Sequence, residues 1–408
     1  MLIWKGGAHE LPRSNAFLSK HHMPDWQSVM ISILRRFVYG TSAGLIFTTV
    51  SVAQPGTQAT ITGMVIDDSS NTAIEFANVF LAQTTLGCTT DQNGQFEIKN
   101  VPPGSYEIVA SRVGYTLRSL RLSLTQSETR QLRIKLKPSP IIHGEVVVSA
   151  PEPTRWRDQL QKFLKLFLGT TPNANRCKII NPEVLDFDEY NDVFVATARA
   201  PLEIDNKALG YHIRFELTSF RLEPKRFQIG PRFLRSDVLV CEGFPHYTTL
   251  TPGTEGEGER WIENRKRAFG GSLRHFLSTL VKGNLNKSEY EVNLMPQIRL
   301  QNTPIDRTRI SSGNTDLILS TTASREYRHL RFRGFLEVEY TRGTLEQGYD
   351  LLRKRGTDSQ VSWVELNYDS VSVNSRGLIR EGFPTKVYGY WAWKRLADML
   401  PLDYEPEE

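Results

Sequence analysis

Between Thr60 and Lys137 apolar residues recur at every second position in short runs, and turn residues separate the runs. A period of two puts successive side chains on opposite faces of a strand, so the pattern is buried only by pairing strands and covering one face of the sheet. "TITGMVID" sets Ile61, Gly63 and Val65 on one face, "ANVFL" sets Ala77, Val79 and Leu81, and "QFEIK" offers Phe96 and Ile98. "SYEIVAS" adds Tyr106, Ile108 and Ala110, and "LRLSL" adds Leu120, Leu122 and Leu124. In "LRIKLK", Leu132, Ile134 and Leu136 alternate with Arg133, Lys135 and Lys137. Asn93-Gly94 suits a tight hairpin, and Pro102-Pro103-Gly104 stops one strand and turns the chain into the next. Short strands at this spacing predict a small antiparallel β-sandwich with Val79, Leu81, Leu132, Ile134 and Leu136 in one core.

The stretch "ITGMVIDDSSNTAIEFANVFLAQTTLGCTTDQNGQFEIKNVPPGSYEIVASRVGY" resembles the carboxypeptidase regulatory-like (prealbumin-like, seven-stranded) domain. The resemblance rests on the GxVxD opening, the AxVxL second strand, the T-D-x-x-G-x-F hairpin, the PPGxY turn and the closing Gly-Tyr. It implies a module found in front of varied partners, among them metallocarboxypeptidases and TonB-dependent outer-membrane receptors. "GEVVVSA", Gly144 to Ala150, is similar to the segment that follows the module in those receptors.

Neither neighbour fits the rest of the chain. A zinc carboxypeptidase needs a His and a Glu three residues apart plus a distant His, leaving one metal position open. His143, His212, His246, His275 and His329 all lack an acidic residue at that spacing, and His22 with Asp25 lies in the leader. A receptor barrel of about 22 strands needs far more chain than the 258 residues from Pro151 onward. No cofactor and no metal is called for.

Residues 1–53 read as a leader and signal peptide. Arg35-Arg36 precede the uncharged run "FVYGTSAGLIFTTVSVA", and Ser51-Val52-Ala53 offers the small residues that a signal peptidase recognises. Cleavage after Ala53 is expected, with the alternative of a membrane anchor. Export then places the chain in the periplasm or at the outer membrane. Of the formal net charge of +5, the leader carries +3, so the remainder is close to neutral and no nucleic-acid partner is expected. No later apolar run reaches membrane-spanning length. Cys88, Cys177 and Cys241 form no CxxC pair; Cys177 with Cys241 is the pairing an oxidising compartment would favour, against buried free thiols.

The sandwich is therefore assigned to residues 54–150 and a larger α+β domain with mostly antiparallel sheet to residues 151–408. "TRWRDQLQKFLKLFLG" has Trp156, Leu160, Phe163 and Phe167 on one helical stripe and ends at Gly169. "GSLRHFLSTLVKG" predicts a helix capped by Ser272, and "YWAWKRLADMLP" a third that Pro401 closes. Val193, Val195 and Thr197, then Tyr211, Ile213, Phe215 and Leu217, then Phe332, Gly334, Leu336, Val338 and Tyr340, alternate as strands. "TPGTEGEGE", Thr251 to Glu259, reads as a loop. "NPEVLDF", "PLEIDNKALGY", "GGSLRHF" and the terminal "YWAWKRLADMLPLDY" resemble an uncharacterised second domain of exported bacterial envelope proteins, which implies a location and no catalytic residues.

The candidate motifs are few. "DQNG" enters a strand at Phe96 instead of completing a calcium loop. Ser272 and His275 share one helix and lack a third orienting group. Asp186, Asp188 and Glu189 read as a solvated turn and not a glycosidase pair. Tyr388, Tyr390, Trp391 and Trp393 read as core anchors more than as a sugar platform. Arg265, Arg267, Gly270, Gly271, Ser272 and Arg274 form an anion-binding candidate, because two glycines open the backbone N–H groups where a helix begins and three guanidinium groups stand close in sequence. An envelope protein, an acidic glycan or a lipid head group would be the partner. Two functions follow: an exported, non-catalytic binding or docking protein, or an envelope hydrolase (peptidase or glycosidase) whose site forms only in the fold.

Overall fold

The computed structural model of the protein describes residues 2–3, 6–7, 58–124, 127–139, 153–229, 232–285, 289–296, 307–322, 327–349, 359–381 and 385–406. The apolar run of the leader, the Ala53 cleavage point and "GEVVVSA" lie outside these residues. Two short strands near the start, β1 (Leu2–Ile3) and β2 (Gly6–Gly7), pair with a long later strand at Glu242, Gly243, Val238 and Leu239, although the sequence gives this segment no part in the fold.

The sandwich forms as the alternation requires. Its strands are β3 (Ala59–Asp67), β4 (Asn78–Leu81), β5 (Gly87–Thr89), β6 (Gln95–Val101), β7 (Gly104–Ser111), β8 (Tyr115–Thr116), β9 (Arg118–Leu124) and β10 (Thr129–Pro138). They make two four-stranded sheets, ordered β6-β3-β10-β8 and β5-β4-β7-β9. All pairings are antiparallel except that of the first and last long strands, β3 with β10. Ile61, Val65, Ala77, Val79, Leu81, Ile108, Ile134 and Leu136 share one core, with Leu132 packed partly against it. Gly94 has φ +70° and Asp91 accepts the N–H groups of Asn93 and Gln95, so the turn forms. It is not a hairpin within one sheet: β5 pairs with β4 and β6 with β3, so Asn93-Gly94 carries the chain from one sheet to the other.

Residues 153 onward add two large cores and a small one of Leu345, Tyr349 and Tyr390. Helix α1 (Pro153–Phe167) lies on a sheet built from β11 (Cys177–Ile179), β12 (Leu185–Tyr190), β13 (Val193–Ala198), β14 (Leu202–Asn206), β15 (Tyr211–Ile229) and β16 (Arg232–Thr249). Phe163 and Phe167 of the helix meet Phe194, Phe215 and Phe220 of the sheet. On β13 the buried residues are Phe194 and Ala196, not Val193 and Val195, because the large ring takes the face toward α1. Asp186, Asp188 and Glu189 lie within strand β12 and not in a turn. Cys177 and Cys241 are unbonded, and burial pushes both thiols up, which leaves little thiolate at neutral pH.

Helix α2 (Glu255–Phe269) occupies part of the stretch read as a loop. Its glycines disfavour a helix, but Trp261 is buried, with its Nε1 donating to the Lys207 carbonyl at 3.0 Å, and tertiary anchoring prevails. Helix α3 (Leu273–Val281) follows, and Ser272 Oγ accepts the His275 N–H at 3.1 Å as its cap. It packs Phe276, Leu277 and Leu280 against β17 (Tyr290–Met295), β18 (Thr308–Ile310), β19 (Leu319–Thr321), β20 (Tyr327–Leu330), β21 (Phe335–Thr344), β22 (Ser359–Leu366), β23 (Val371–Asn374) and β24 (Thr385–Gly389). These form a five-stranded sheet, β18-β17-β21-β22-β24, and a three-stranded sheet, β19-β20-β23.

The expected terminal helix is broken. A single turn, α4 (Tyr390–Trp393), ends at Lys394 in extended backbone, and a 3-10 turn covers Leu396–Asp398. Lys394 pairs with Glu346 at 2.5 Å and with Asp398 at 3.3 Å. Asp398 also accepts from Thr171 at 2.8 Å and Asn173 at 2.9 Å, which ties the turn to the chain beyond α1.

The sandwich is built onto the rest of the chain, and residues 57–408 belong to one compact unit. Its turn after β4 donates the Gln83 N–H to the Pro245 carbonyl at 2.6 Å. The same turn accepts the Tyr247 N–H at Thr84 (3.0 Å) and the Leu402 N–H at Gln83 (2.7 Å). Asp403 accepts from the Thr85 N–H at 3.0 Å and from its hydroxyl. Phe80 and Val109 point away from the sandwich core and bury themselves with Ala82 and Phe244 in a cluster of their own. Ser111 donates to Glu216 at 2.7 Å.

Candidate functional site

The three guanidinium groups of the basic cluster go to different partners. Arg265 donates to the Leu209 carbonyl at 2.7 Å and the Gly210 carbonyl at 3.1 Å, and its guanidinium lies 4.2 Å over the Tyr211 ring. Arg274 donates to the carbonyls of Arg376 at 3.3 Å, Pro401 at 3.0 Å and Tyr404 at 2.7 Å. Burial lowers its pKa to about 10. Arg267 is exposed and stands 3.7 Å from Glu263 one turn back. The backbone donors are used as well: Gly270 N–H bonds Lys266 at 2.9 Å, Ser272 N–H bonds Phe269 at 3.0 Å and Gly271 N–H bonds His275 Nδ1 at 3.1 Å. Gly271 has φ +73°, and a Cβ there would stand 2.5 Å from the Tyr340 ring. Close packing accounts for the glycine, and the N–H groups of Gly270, Gly271 and Ser272 already have partners.

Of the other sequence candidates, Asp186 and Glu189 of β12 are taken up in ion pairs, and Tyr390 and Trp391 in packing. Asp186 pairs with Arg199 at 3.0 Å and Glu189 with Lys162 at 2.9 Å. Tyr390 and Trp391 are buried, and Trp391 Nε1 donates to the Gly271 carbonyl at 2.7 Å.

A different surface gathers recognition chemistry. On one face of the five-stranded sheet Val292, Leu336, Val338 and Val364 are buried in the α3 core. Strand alternation puts the neighbouring residues on the other face, and register aligns Arg309, Asn293, Glu337, Trp363 and Tyr388 in one row across the five strands. Glu337 accepts from Trp363 Nε1 at 3.0 Å, Asn293 at 3.3 Å and Arg307 at 3.3 Å, which fixes its carboxylate. Glu365 accepts from Lys386 at 3.3 Å and from the Tyr388 hydroxyl at 3.1 Å, and the Phe335 and Tyr388 rings meet edge to face at 5.8 Å. At Glu365 the face runs into a recess of about 330 Å³ lined by Arg331, Arg333, Asn367, Tyr368 and Asp369. Glu337 itself is buried, and the partly buried rings of Phe335, Trp363 and Tyr388 beside oriented polar groups suit stacking and hydrogen bonding to a polar chain.

A second charged group lies near the sandwich joint. His212 Nδ1 is 2.8 Å from Asp205 and its Nε2 2.9 Å from Glu203, while Arg214 holds the other Glu203 oxygen at 2.9 Å. Burial opposes charge on His212, but hydrogen bonds and attraction from both carboxylates prevail and raise its pKa. The native state therefore binds this proton more tightly than the unfolded chain. The stabilisation is complete below the unfolded value of about 6.5 and is lost as pH rises through the folded pKa. Urea unfolding should show stability falling above about pH 6.5, and His212→Gln should flatten that slope.

Apart from Tyr388, which the aromatic run singles out, the sheet row escaped the sequence because it draws single residues from five strands. Its one local sign is the alternation of Phe335, Glu337 and Glu339 with Leu336 and Val338.

Residues 61–148 match the family model described as CarboxypepD_reg-like domain. No curated protein matches the chain. Among solved structures the chain is similar to a type II cohesin–X-dockerin complex from Acetivibrio cellulolyticus, at 22% identity over 28% of this chain and 76% of that one, with a TM-score of 0.18. It is similar to the group B streptococcus pilus 2b backbone protein at 18% identity, over 20% of this chain and 42% of that one, TM-score 0.18. The major pilin subunit of Bacillus cereus gives 17% identity, 20% and 30% coverage and a TM-score of 0.18. The chain thus spans less than half the length of either pilin. Among the described residues no helix is long and apolar enough to cross a membrane.

Proposed function

We propose that this chain, with its CarboxypepD_reg-like domain at residues 61–148, is an exported cell-envelope protein that binds a partner without catalysing a reaction, in the periplasm or at the outer membrane. The observation that carries the binding reading is the row Arg309, Asn293, Glu337, Trp363 and Tyr388 with its adjoining recess. Its carboxylates at Glu337 and Glu365 are held by donors in fixed positions, as a recognition surface requires. The sandwich serves as the rigid support of this surface, since its turn, its β4–β7 face and Ser111 are bonded to the same chain. The leader supports export. Its removal would take away β1 and β2, which add two residue pairs each along β16.

Two measurements test the proposal. Mass spectrometry of the native protein should find an amino terminus at Gln54, and an intact Met1 or Met30 in the cytoplasm would contradict export. Titration calorimetry of the mature chain against solubilised acidic envelope glycan should give binding that weakens roughly 30-fold in Arg333→Ala/Tyr368→Ala, the scale of two interface anchors. Unchanged affinity would remove the recess from the site, and release of cleaved product would overturn the non-catalytic reading.

A further inference from the structure

Among the described residues three buried side-chain nitrogens lack a hydrogen-bond partner, and two of them, Arg214 Nε and His246 Nε2, lie on one rung of the β15–β16 pairing. That rung belongs to the joint between the sandwich and its own chain. Phe80 of β4 stacks on the His246 ring at 5.0 Å, with the two planes 28° apart. β5 comes close to the unpartnered nitrogen, since a Cβ at Gly87 would stand 2.8 Å from Nε2. The residues on either side of His246 carry two of the backbone bonds that cross the joint, Pro245 accepting from Gln83 and Tyr247 donating to Thr84. A displacement of this one ring therefore reaches both bonds.

Several charged groups surround the ring. On β15 Arg214 is its direct partner and Glu216 lies diagonally across, opposite Phe244. Arg214 holds Glu203 of β14 at 2.9 Å, and Glu216 accepts from Ser111 at 2.7 Å. From the sandwich, Glu107 of β7 shares the strand face of Val109 and is the partner of Arg121 on β9. From the terminal segment comes Asp403, which accepts the Thr85 N–H. On β16 itself Glu242 is four residues back. Burial opposes charge on His246; the Thr85 backbone and Asp403 favour it, but burial and the Arg214 cation prevail and lower the pKa. Burial raises the Glu216 carboxyl, so in acid it turns neutral and no longer offsets the cations.

From this arrangement we propose that His246 is a proton-operated latch of the joint: charging its ring in acid releases the turn after β4 from β16 and the terminal segment, while the cores on both sides stay folded. The new N–H of a charged ring points at no acceptor, and the charge stands opposite Arg214 at cross-strand distance, where like charges repel. Once the joint opens, water reaches the ring and removes both penalties. The open state binds this proton more tightly than the closed one. The joint is therefore at full strength above the ordinary imidazole value of about 6.5 and weakens as pH falls below it. His212 works in the opposite sense, because its two carboxylates favour its charged form. The latch does not depend on the function assigned to the recess.

The test is native-state hydrogen exchange of the mature chain at about pH 7.5 and about pH 5, on either side of the ordinary imidazole value, with rates expressed as protection factors. The N–H groups of Gln83, Tyr247 and Leu402 should lose protection roughly tenfold in acid, the scale of one buried donor left without an acceptor. Ile108 in the sandwich core should keep its protection. His246→Phe keeps a ring against Phe80 and cannot take a proton, so the three amides should stay protected in acid; His246→Gln should behave alike. His212→Gln should leave the acid response in place. Equal protection of the three amides at both pH values in the unaltered chain overturns the proposal. So does a parallel loss at Ile108, or an acid response that survives in both His246 variants. The pH series on the unaltered chain is decisive whatever the folding of the variants.

Discussion

Arg274→Ala is expected to lower the stability of the mature chain by roughly 3 kcal/mol, since a buried acceptor left without its donor costs on the order of 1–3 kcal/mol. Arg274 donates to carbonyls 102, 127 and 130 residues away in sequence, at Arg376, Pro401 and Tyr404. Without it three acceptors lose a donor, and the segment that lends its Leu402 N–H and Asp403 carboxylate to the sandwich turn loses its grip on α3. Arg274→Lys should recover only part of the loss, because an ammonium cannot reproduce the fork of a guanidinium. Arg267→Ala, on the exposed side of α2, should change stability by less than about 0.5 kcal/mol. Urea denaturation checks all three, and equal effects at positions 267 and 274 would count against the assignment.

Phe80→Ala should cost about 3–5 kcal/mol, as a core phenylalanine does. Within the sandwich alone that size would be unexpected, since Val79 and Leu81 on the same strand supply its core and Phe80 faces the other way. Phe80 instead stacks on His246 at 5.0 Å and packs with Phe244 of β16. A loss comparable to that of a sandwich-core residue, measured by urea denaturation of the mature chain, is the expected result. A cost below about 1 kcal/mol, as for a surface change, would mean that the second domain does not cover this face.

Phe80 also shows how far the sequence could be read. Alternation placed Val79, Leu81, Ile134 and Leu136 together because a strand's period is a local property. The same period sends Phe80 and Val109 outward, and two apolar residues on an outward face are the local sign that something covers it. What covers it is β16, some 165 residues further on, which no local pattern names. The partners of the basic cluster were hidden for the same reason. Arg265 and Arg274 look unpartnered in sequence, and their partners are backbone carbonyls at Leu209, Gly210, Pro401 and Tyr404 that exist only in the fold. Around Glu255 to Glu259 glycine propensity argued for a loop, and burial of Trp261 outweighed it. In "YWAWKRLADMLP" helical periodicity yielded to contacts from outside the segment, those of Lys394 with Glu346 and of Asp398 with Thr171 and Asn173.

The sandwich is fixed to its own chain through the turn after β4. Native-state hydrogen exchange of the mature chain reads this at three backbone N–H groups: Gln83, which bonds Pro245; Tyr247, which bonds Thr84; and Leu402, which bonds Gln83. The expected result is that all three exchange as slowly as Ile108 in the sandwich core, through the same cooperative unfolding. Exchange at the rate of exposed loop amides while Ile108 stays protected would mean that the sandwich is free of the second domain, and would contradict the account.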